Sequence, residues 1–104
     1  MITCVGPIFL DRVVKIDRFP EEPIKMVSNG LEKRLGGPAP VASFAISSLG
    51  GNAEFIGRFG SDDAADFLKS EFIKSGISTL KSITVQDAQT SQSHIFEDKK
   101  GERM

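Results

Sequence analysis

The sequence predicts an α/β fold, and three observations carry that expectation. Strand-like and helical stretches alternate through the middle of the chain, in the order expected of right-handed βαβ units and a layered sheet. Glycines stand where both helices should end, at Gly50-Gly51 and Gly76. The β-like segments left over, near 10–30 and 77–104, do not fit the layer and are expected to form a small separate sheet over one of its edges.

Taken in order, Ile2–Val5 is a short apolar run ended by Gly6-Pro7 and reads as a buried strand. Cys4 within it is expected as a small buried hydrophobe rather than a catalytic thiol. Ile8 to Ile16 continues extended, with Asp11-Arg12 interrupting the apolar pattern. Phe19-Pro20-Glu21-Glu22-Pro23 is a turn or loop, because its two prolines exclude regular helix. Ile24 to Leu35 is mixed: Lys25, Val27 and Leu31 suggest strand, with Ser28-Asn29-Gly30 as a bend or bulge. The first clear helix runs from Pro38 to about Leu49, with Val41, Phe44, Ala45, Ser48 and Leu49 on one face. Ala53 to Phe59 is a strand. Ser61-Asp62-Asp63 then supplies an N-cap and dipole-favourable acids for a second helix, Asp62 to Ser75, whose face is Ala64, Phe67, Leu68 and Phe72. Ile77 to Val85 and Ser91 to Glu97 are β-like, and Asp98-Lys99-Lys100-Gly101 is a hairpin turn. Only Glu102-Arg103-Met104 remains for the return strand, which would leave the preceding strand with an unpaired edge and argues for an incomplete polypeptide.

The bulk properties exclude several classes of function. Thirteen basic and fourteen acidic side chains leave a net charge of −1, so no basic footprint for nucleic acid exists. The chain has eight phenylalanines and no tryptophan or tyrosine, and those phenylalanines fall at core-like spacing rather than as a base-stacking platform. A single cysteine rules out an internal disulfide framework. With no signal pattern and no apolar run of membrane-spanning length, a soluble cytoplasmic protein is expected.

Few residues are placed to carry chemistry. Asp11 follows the first strand, near the carboxyl end where open α/β sheets hold ligands, and could accept bonds from two adjacent hydroxyls; it could equally pair with Arg12 or a turn amide. Gly36-Gly37, just before Pro38, describe a helix start where backbone approaches a bound molecule, or else a tight strand-to-helix turn with no ligand. Gly57-Arg58-Phe59-Gly60 invites a phosphate-loop reading, but Asp62-Asp63 would repel a phosphate there, and a structural turn is favoured. Lys25 and Arg103 are candidate cations for an anionic substrate group. His94 has no partner at metal-ligand spacing, so no metal site is expected. Thr90-Ser91-Gln92-Ser93 offers hydroxyls and an amide to a ligand, or to solvent. No catalytic Ser–His–Asp or Cys–His arrangement is present.

In this order the residues resemble the N-terminal part of a PfkB, or ribokinase-like, carbohydrate kinase, essentially end to end. The resemblance rests on Cys4-Val5-Gly6 with Asp11 after it, Gly36-Gly37-Pro38-Ala39, Leu49-Gly50, Phe55 through Asp63, Phe67-Leu68 and Ser75-Gly76-Ile77. Thr90-Ser91-Gln92-Ser93 and Lys99-Gly101-Glu102-Arg103-Met104 look most like the sulfofructose kinase branch, which phosphorylates 6-deoxy-6-sulfofructose. The resemblance implies a three-layer α/β/α fold with a β-sheet lid formed by about 10–35 and 77–104, around a βαβα core of about 36–76. It implies that Asp11 holds sugar hydroxyls, that Gly36 and Gly37 lie against the sugar, and that Lys25 and, beyond the lid turn, Arg103 meet a terminal phosphate or sulfonate. Where the family usually has an asparagine after the glycine pair, this chain has Pro40, or Val41 if the alignment slips by one, so hydroxyl recognition there must differ from ribokinase.

The family's general base, in a Gly-Ala-Gly-Asp motif, and its ATP-binding segments belong to the C-terminal part, and no such motif occurs here. ATP and Mg²⁺ are accordingly expected for the complete enzyme and not for this chain alone, which carries no catalytic residue and should be inactive. The alternatives are a ketohexokinase- or ribokinase-like kinase of another sugar, a non-enzymatic sugar-binding lid module or homodimer through the lid sheet, and a small nucleotide-binding domain resting on Gly57 to Gly60.

Overall fold

The computed structural model describes residues 1–104 as two layers of structure joined at a corner. The main layer contains β1 (Ile2–Val5), α1 (Pro38–Ser48), β4 (Ala53–Ile56), β5 (Arg58–Phe59), α2 (Asp63–Lys74) and β6 (Ile83–Thr84). The second is a three-stranded sheet of β2 (Phe9–Lys15), β3 (Gly30–Gly36) and β7 (Gln92–Glu97), in the order β3-β2-β7. The radius of gyration of the whole chain is 15.8 Å, against about 13 Å for a compact chain of this length, so the second sheet projects from the layer.

In the main layer β1 and β4 are parallel, Ile2 opposite Ala53 through Val5 opposite Ile56, as a βαβ unit requires. Ser78 bridges to Glu54 on the other edge of β4, and β6 pairs in parallel with β5. The stretch after Gly76 therefore continues the main layer, and the second sheet takes over only at Gln92 rather than at 77. Ile2 and Val5 are exposed, and Cys4 is half-buried, in contrast to the buried strand expected. The reason is that β1 has one paired edge and α1 packs against it, leaving the rest open.

Both helices close as their glycines predict. The N–H of Gly51 bonds Ile46 O at 2.9 Å and that of Gly50 bonds Ser47 O at 3.1 Å, with the same pair of bonds from Ile77 to Phe72 and Gly76 to Ile73. Helix α2 buries Ala64, Ala65, Leu68 and Phe72 with Phe67 half-buried, matching its sequence pattern. Helix α1 is rotated from expectation: Pro40 and Ser43 are buried while Val41 is 56% and Leu49 88% exposed. This helix is apolar nearly all round, so its pattern cannot define one face.

The core joins both layers. Ile8 and Leu10 of the first extended segment pack with Phe55, Phe59, Ala64, Ala65, Leu68, Phe72 and Ile77. Phe72 is at its centre, stacked on Phe55 at 5.0 Å, tilted on Phe44 at 5.1 Å and edge-on to Phe59 at 6.4 Å.

In the second sheet β2 and β3 pair antiparallel, Phe9 opposite Gly36 through Lys15 opposite Gly30, while β7 runs parallel to β2. The segment 16–29 carries no strand, in contrast to the expectation for Lys25 and Val27. Its prolines cannot donate to a ladder, and Ile24 and Met26 instead line an apolar cavity of 310 Å³ with Val14, Ile16 and Phe96. The turn after β7 forms as expected, with Gly101 N donating to Asp98 O at 3.1 Å. Arg103 then bridges back to Glu97, and Phe96 and Met104 exchange two backbone bonds, so this edge is partly paired.

Glu97 ties the sheet together from both sides. It accepts from Lys15 Nζ at 2.5 Å on one oxygen and from Arg103 Nε at 2.6 Å on the other. Those hydrogen bonds lower its pKa from 4.5 to about 2.

Two predictions follow from this packing. Phe72→Ala removes three aromatic contacts and should cost about 3–5 kcal/mol, read as a fall in the urea midpoint; a loss comparable to a surface substitution would show that the cluster is not the core. Because the carboxylate of Glu97 titrates lower in the folded state, its contribution is complete above pH 4.5 and is lost as pH falls toward 2. The stability gap between the wild type and Glu97→Gln should therefore narrow over that window, and a gap independent of pH in urea titrations would contradict the assignment.

Candidate functional site

The corner where β3 becomes α1 gathers the residues that the sequence singles out. Asp11 lies in mid-β2, with Arg34 of β3 opposite on one side and Ser93 of β7 on the other. Alternation along the strands puts Asp11, Gly36, Arg34 and Ser93 on one face of the sheet. Asp11 is half-buried and makes no side-chain hydrogen bond or ion pair within the protein, and Ser93 makes none either. Its carboxylate lies over Gly36, where a Cβ would come within 2.7 Å of Asp11 Cγ and Oδ1. Glycine at 36 is what lets that carboxylate sit there.

Gly37 turns the chain from strand into helix with φ 110° and ψ 147°. An L side chain rarely adopts that φ, and a Cβ would also meet Pro7 O at 2.6 Å. Helix α1 follows at once, with no side-chain cap and no acid in its first turn. Two of its opening residues, Pro38 and Pro40, have no N–H, so this helix start offers few donors for an anion. Pro40 is fully buried beneath Gly37, and Val41 lines a separate 280 Å³ cavity with Lys33, Leu35, Phe44, Phe67 and Glu71. Neither residue substitutes for a polar contact to a ligand.

The start of α2 is closed more firmly. Asp62 accepts from Ala65 N at 3.0 Å, Thr90 N at 2.9 Å and Thr90 Oγ1 at 2.8 Å, while Gly60 N donates to Thr90 Oγ1 at 2.9 Å. Burial pushes the Asp62 carboxyl up, but the bonds from Thr90 and Ala65 outweigh it and leave the pKa below the usual value. An ionised carboxylate thus fills the place a phosphate would need. The segment Gly57 to Gly60 is not the turn expected: Arg58 and Phe59 form β5, held in the sheet by β6, with a glycine at each end. Thr90, 2% exposed, serves this cap and not a ligand.

Lys25 and Arg103 are not brought to Asp11. Lys25 is exposed in the 16–29 segment, and its neighbours Ile24 and Met26 cover Val14 and Ile16, on the sheet face opposite Asp11. Arg103 shares the Asp11 face but is held by Glu97, which stands opposite Lys15, four residues along β2 from Asp11. That distance is about 13 Å at strand rise. Conversely, Arg34 stands next to Asp11 although nothing in the sequence marked it. Register between segments 23 residues apart is not visible in composition. Arg34 donates from Nε to Glu32 Oε2 at 3.0 Å, and that bond, with the charges of Arg34 and Lys15, keeps the Glu32 pKa low. His94 is exposed on the other face, no group of acids, histidines or cysteines is arranged to hold a metal ion, and no helix is long and apolar enough to cross a membrane.

Comparison with known proteins agrees with this geometry. Residues 1–104 match the model of the pfkB family carbohydrate kinases. Mouse ketohexokinase is 32% identical over 76 residues, covering 73% of this chain and 26% of that protein. A nucleoside kinase of Methanocaldococcus jannaschii is 29% identical over 98 residues, covering 94% of this chain and 32% of that one. Among solved structures, the ribokinase of Cryptococcus neoformans var. grubii, in complex with ADP, superposes with a TM-score of 0.81 at 26% identity, over 99% of this chain and 32% of that one. The chain thus spans about a third or less of the length of these relatives. With its strand order, corner glycines and full-length match to the family model, this ribokinase-fold chain belongs to the pfkB family of carbohydrate kinases.

Proposed function

We propose that this chain is the sugar-binding part of an ATP-dependent sugar kinase acting on a ketose that carries an anionic group, with 6-deoxy-6-sulfofructose as the leading candidate. The observation that carries the reading is Asp11: a half-buried carboxylate with no partner in the protein, laid over a glycine on the sheet face it shares with Ser93. An ionised carboxylate can accept from two hydroxyls at once. Hydrogen bonds to a charged group are worth roughly 1.5–3 kcal/mol each, enough to orient a polyol. Gly36 leaves the approach clear, and Ser93 adds a free hydroxyl beside it.

Phosphoryl transfer is mostly positioning and electrostatic stabilisation, so holding the sugar is a large share of what such a protein does. ATP would supply the phosphoryl group, with Mg²⁺ alongside it. Neither fits the residues present, since Asp62 occupies one helix start and prolines deplete the other, so no step of the transfer is assigned to this chain. The three-stranded sheet would serve as the lid that excludes water. Its outer strand β3 has an open edge through which a second copy could pair. Lys25, exposed and unpaired, is carried as an anion contact only if the 16–29 segment turns toward the Asp11 face.

In the full-length protein that carries this chain, Asp11→Asn should weaken ketose binding in calorimetry by roughly 10–100-fold, the loss of one or two charge-assisted bonds. Its urea midpoint should stay within the range of a neutral surface change, about 0.5 kcal/mol. Unchanged affinity would remove Asp11 from the site. Gly36→Ala, which displaces the carboxylate, should lose both affinity and stability. Residues 1–104 alone should release no ADP in a coupled assay with ATP and sugar, and sugar-dependent release would overturn the division of labour proposed.

A further inference from the structure

The Asp11 face of the three-stranded sheet carries a row of linked charges that the sugar reading leaves unused. Arg34 donates to Glu32 through both Nε and Nη2. The other Glu32 oxygen is 3.8 Å from Lys15 Nζ, Lys15 bonds one Glu97 oxygen and Arg103 bonds the other. Three cations, Lys15, Arg34 and Arg103, thus share two carboxylates, Glu32 and Glu97, leaving the row one positive charge in excess (3 − 2 = +1).

The arrangement is notable for the pair it does not form. Arg34 stands directly opposite Asp11 in the antiparallel register, and opposite charges so placed attract. Yet Arg34 is bound to Glu32, two residues away on its own strand, and Asp11 is left without a partner. The Arg34 side chain is 43% exposed, so its guanidinium is open to a ligand.

Resting on the sugar-site reading of Asp11, we propose that Arg34 is the residue that recognises the anionic group of the sugar, and that Glu32 is a positioning residue that holds Arg34 clear of Asp11 until the sugar binds. A planar guanidinium matches the paired oxygens of a sulfonate or phosphate and bonds them two at a time. Arg34 is the cation opposite Asp11, whereas Arg103 lies at the far end of the row and Lys25 in the segment over the other face. When Arg34 turns to the substrate, Glu32 keeps Lys15 as a partner, so no carboxylate is stranded. Without Glu32, Arg34 would fall onto Asp11 and close the hydroxyl contact.

The test measures binding of fructose, fructose 6-phosphate and 6-deoxy-6-sulfofructose by calorimetry to the full-length protein carrying this chain, with circular dichroism to confirm folding. Wild type should prefer the anionic ketoses by at least about tenfold. Arg34→Met should abolish that preference, with a much smaller change for fructose than for the anionic ketoses, and Arg34→Lys should restore part of it. Glu32→Gln should weaken fructose itself, because Arg34 then competes for Asp11. A preference that survives Arg34→Met, or an equal loss for charged and neutral sugars, overturns the role of Arg34 and leaves the sugar site standing. If no sugar binds wild type, or Asp11→Asn alters none of them, the sugar-site reading fails and this inference fails with it.

Discussion

The rest of the structure depends on the corner at Gly36-Gly37. Strand β3 stays paired to its last residue, Gly36 opposite Phe9, and α1 begins one residue after Gly37. No linker separates the sheet that carries Asp11 from the layer that carries the core. Two steric limits fix the turn: the Asp11 carboxylate against position 36 and the Pro7 carbonyl against position 37. Together they bind residues 7–11 to residues 36–40, so the position of Asp11 over Gly36 is set by backbone geometry rather than by flexible side chains.

The core reinforces the same junction from below. Ile8 and Leu10 belong to the segment that enters the second sheet, yet they pack with Phe55, Leu68 and Phe72 of the main layer. Alternation along β2 sends Leu10 into that core and Asp11 to the opposite face. One strand therefore anchors the sheet and presents the site, and a register slip by a single residue would exchange the two roles.

Much of this was legible in the sequence because it is local. Helix limits follow from Pro38, Asp62 and the closing glycines, whose effects act within a turn. The Asp62 cap was readable in the same way, and it disposed of Gly57 to Gly60 as a phosphate loop. What could not be read was set at long range. The inward face of α1 depends on what packs against a helix apolar on all sides. The extent of β3 depends on the partner that Lys15 and Phe9 provide, which is why strand character was sought at Lys25 and found from Gly30. That Arg34 stands opposite Asp11 is likewise a matter of register. So Asp11, Gly36 and Gly37, close to turns with strong local rules, stand together, while Lys25 and Arg103, assigned by charge and by the lid the resemblance implies, stand apart from them.

The electrostatics of the site follow from where backbone donors are missing. Helix starts are the usual means of holding an anion, and here one is filled by Asp62 and the other thinned by Pro38 and Pro40. Any anionic group near Asp11 must then be met by side chains, and the row from Arg34 to Arg103 is the supply on that face. The Arg34–Glu32 end of the row is exposed, and exposed ion pairs contribute only about 0–1 kcal/mol each. That weakness has a use: in a row of alternating charges, one cation can leave and its carboxylate can lean on the next at small cost. A strongly buried pair would resist such an exchange, because the abandoned charge would be left unsolvated. A shallow, linked row keeps its charges in place and still lets one of them move.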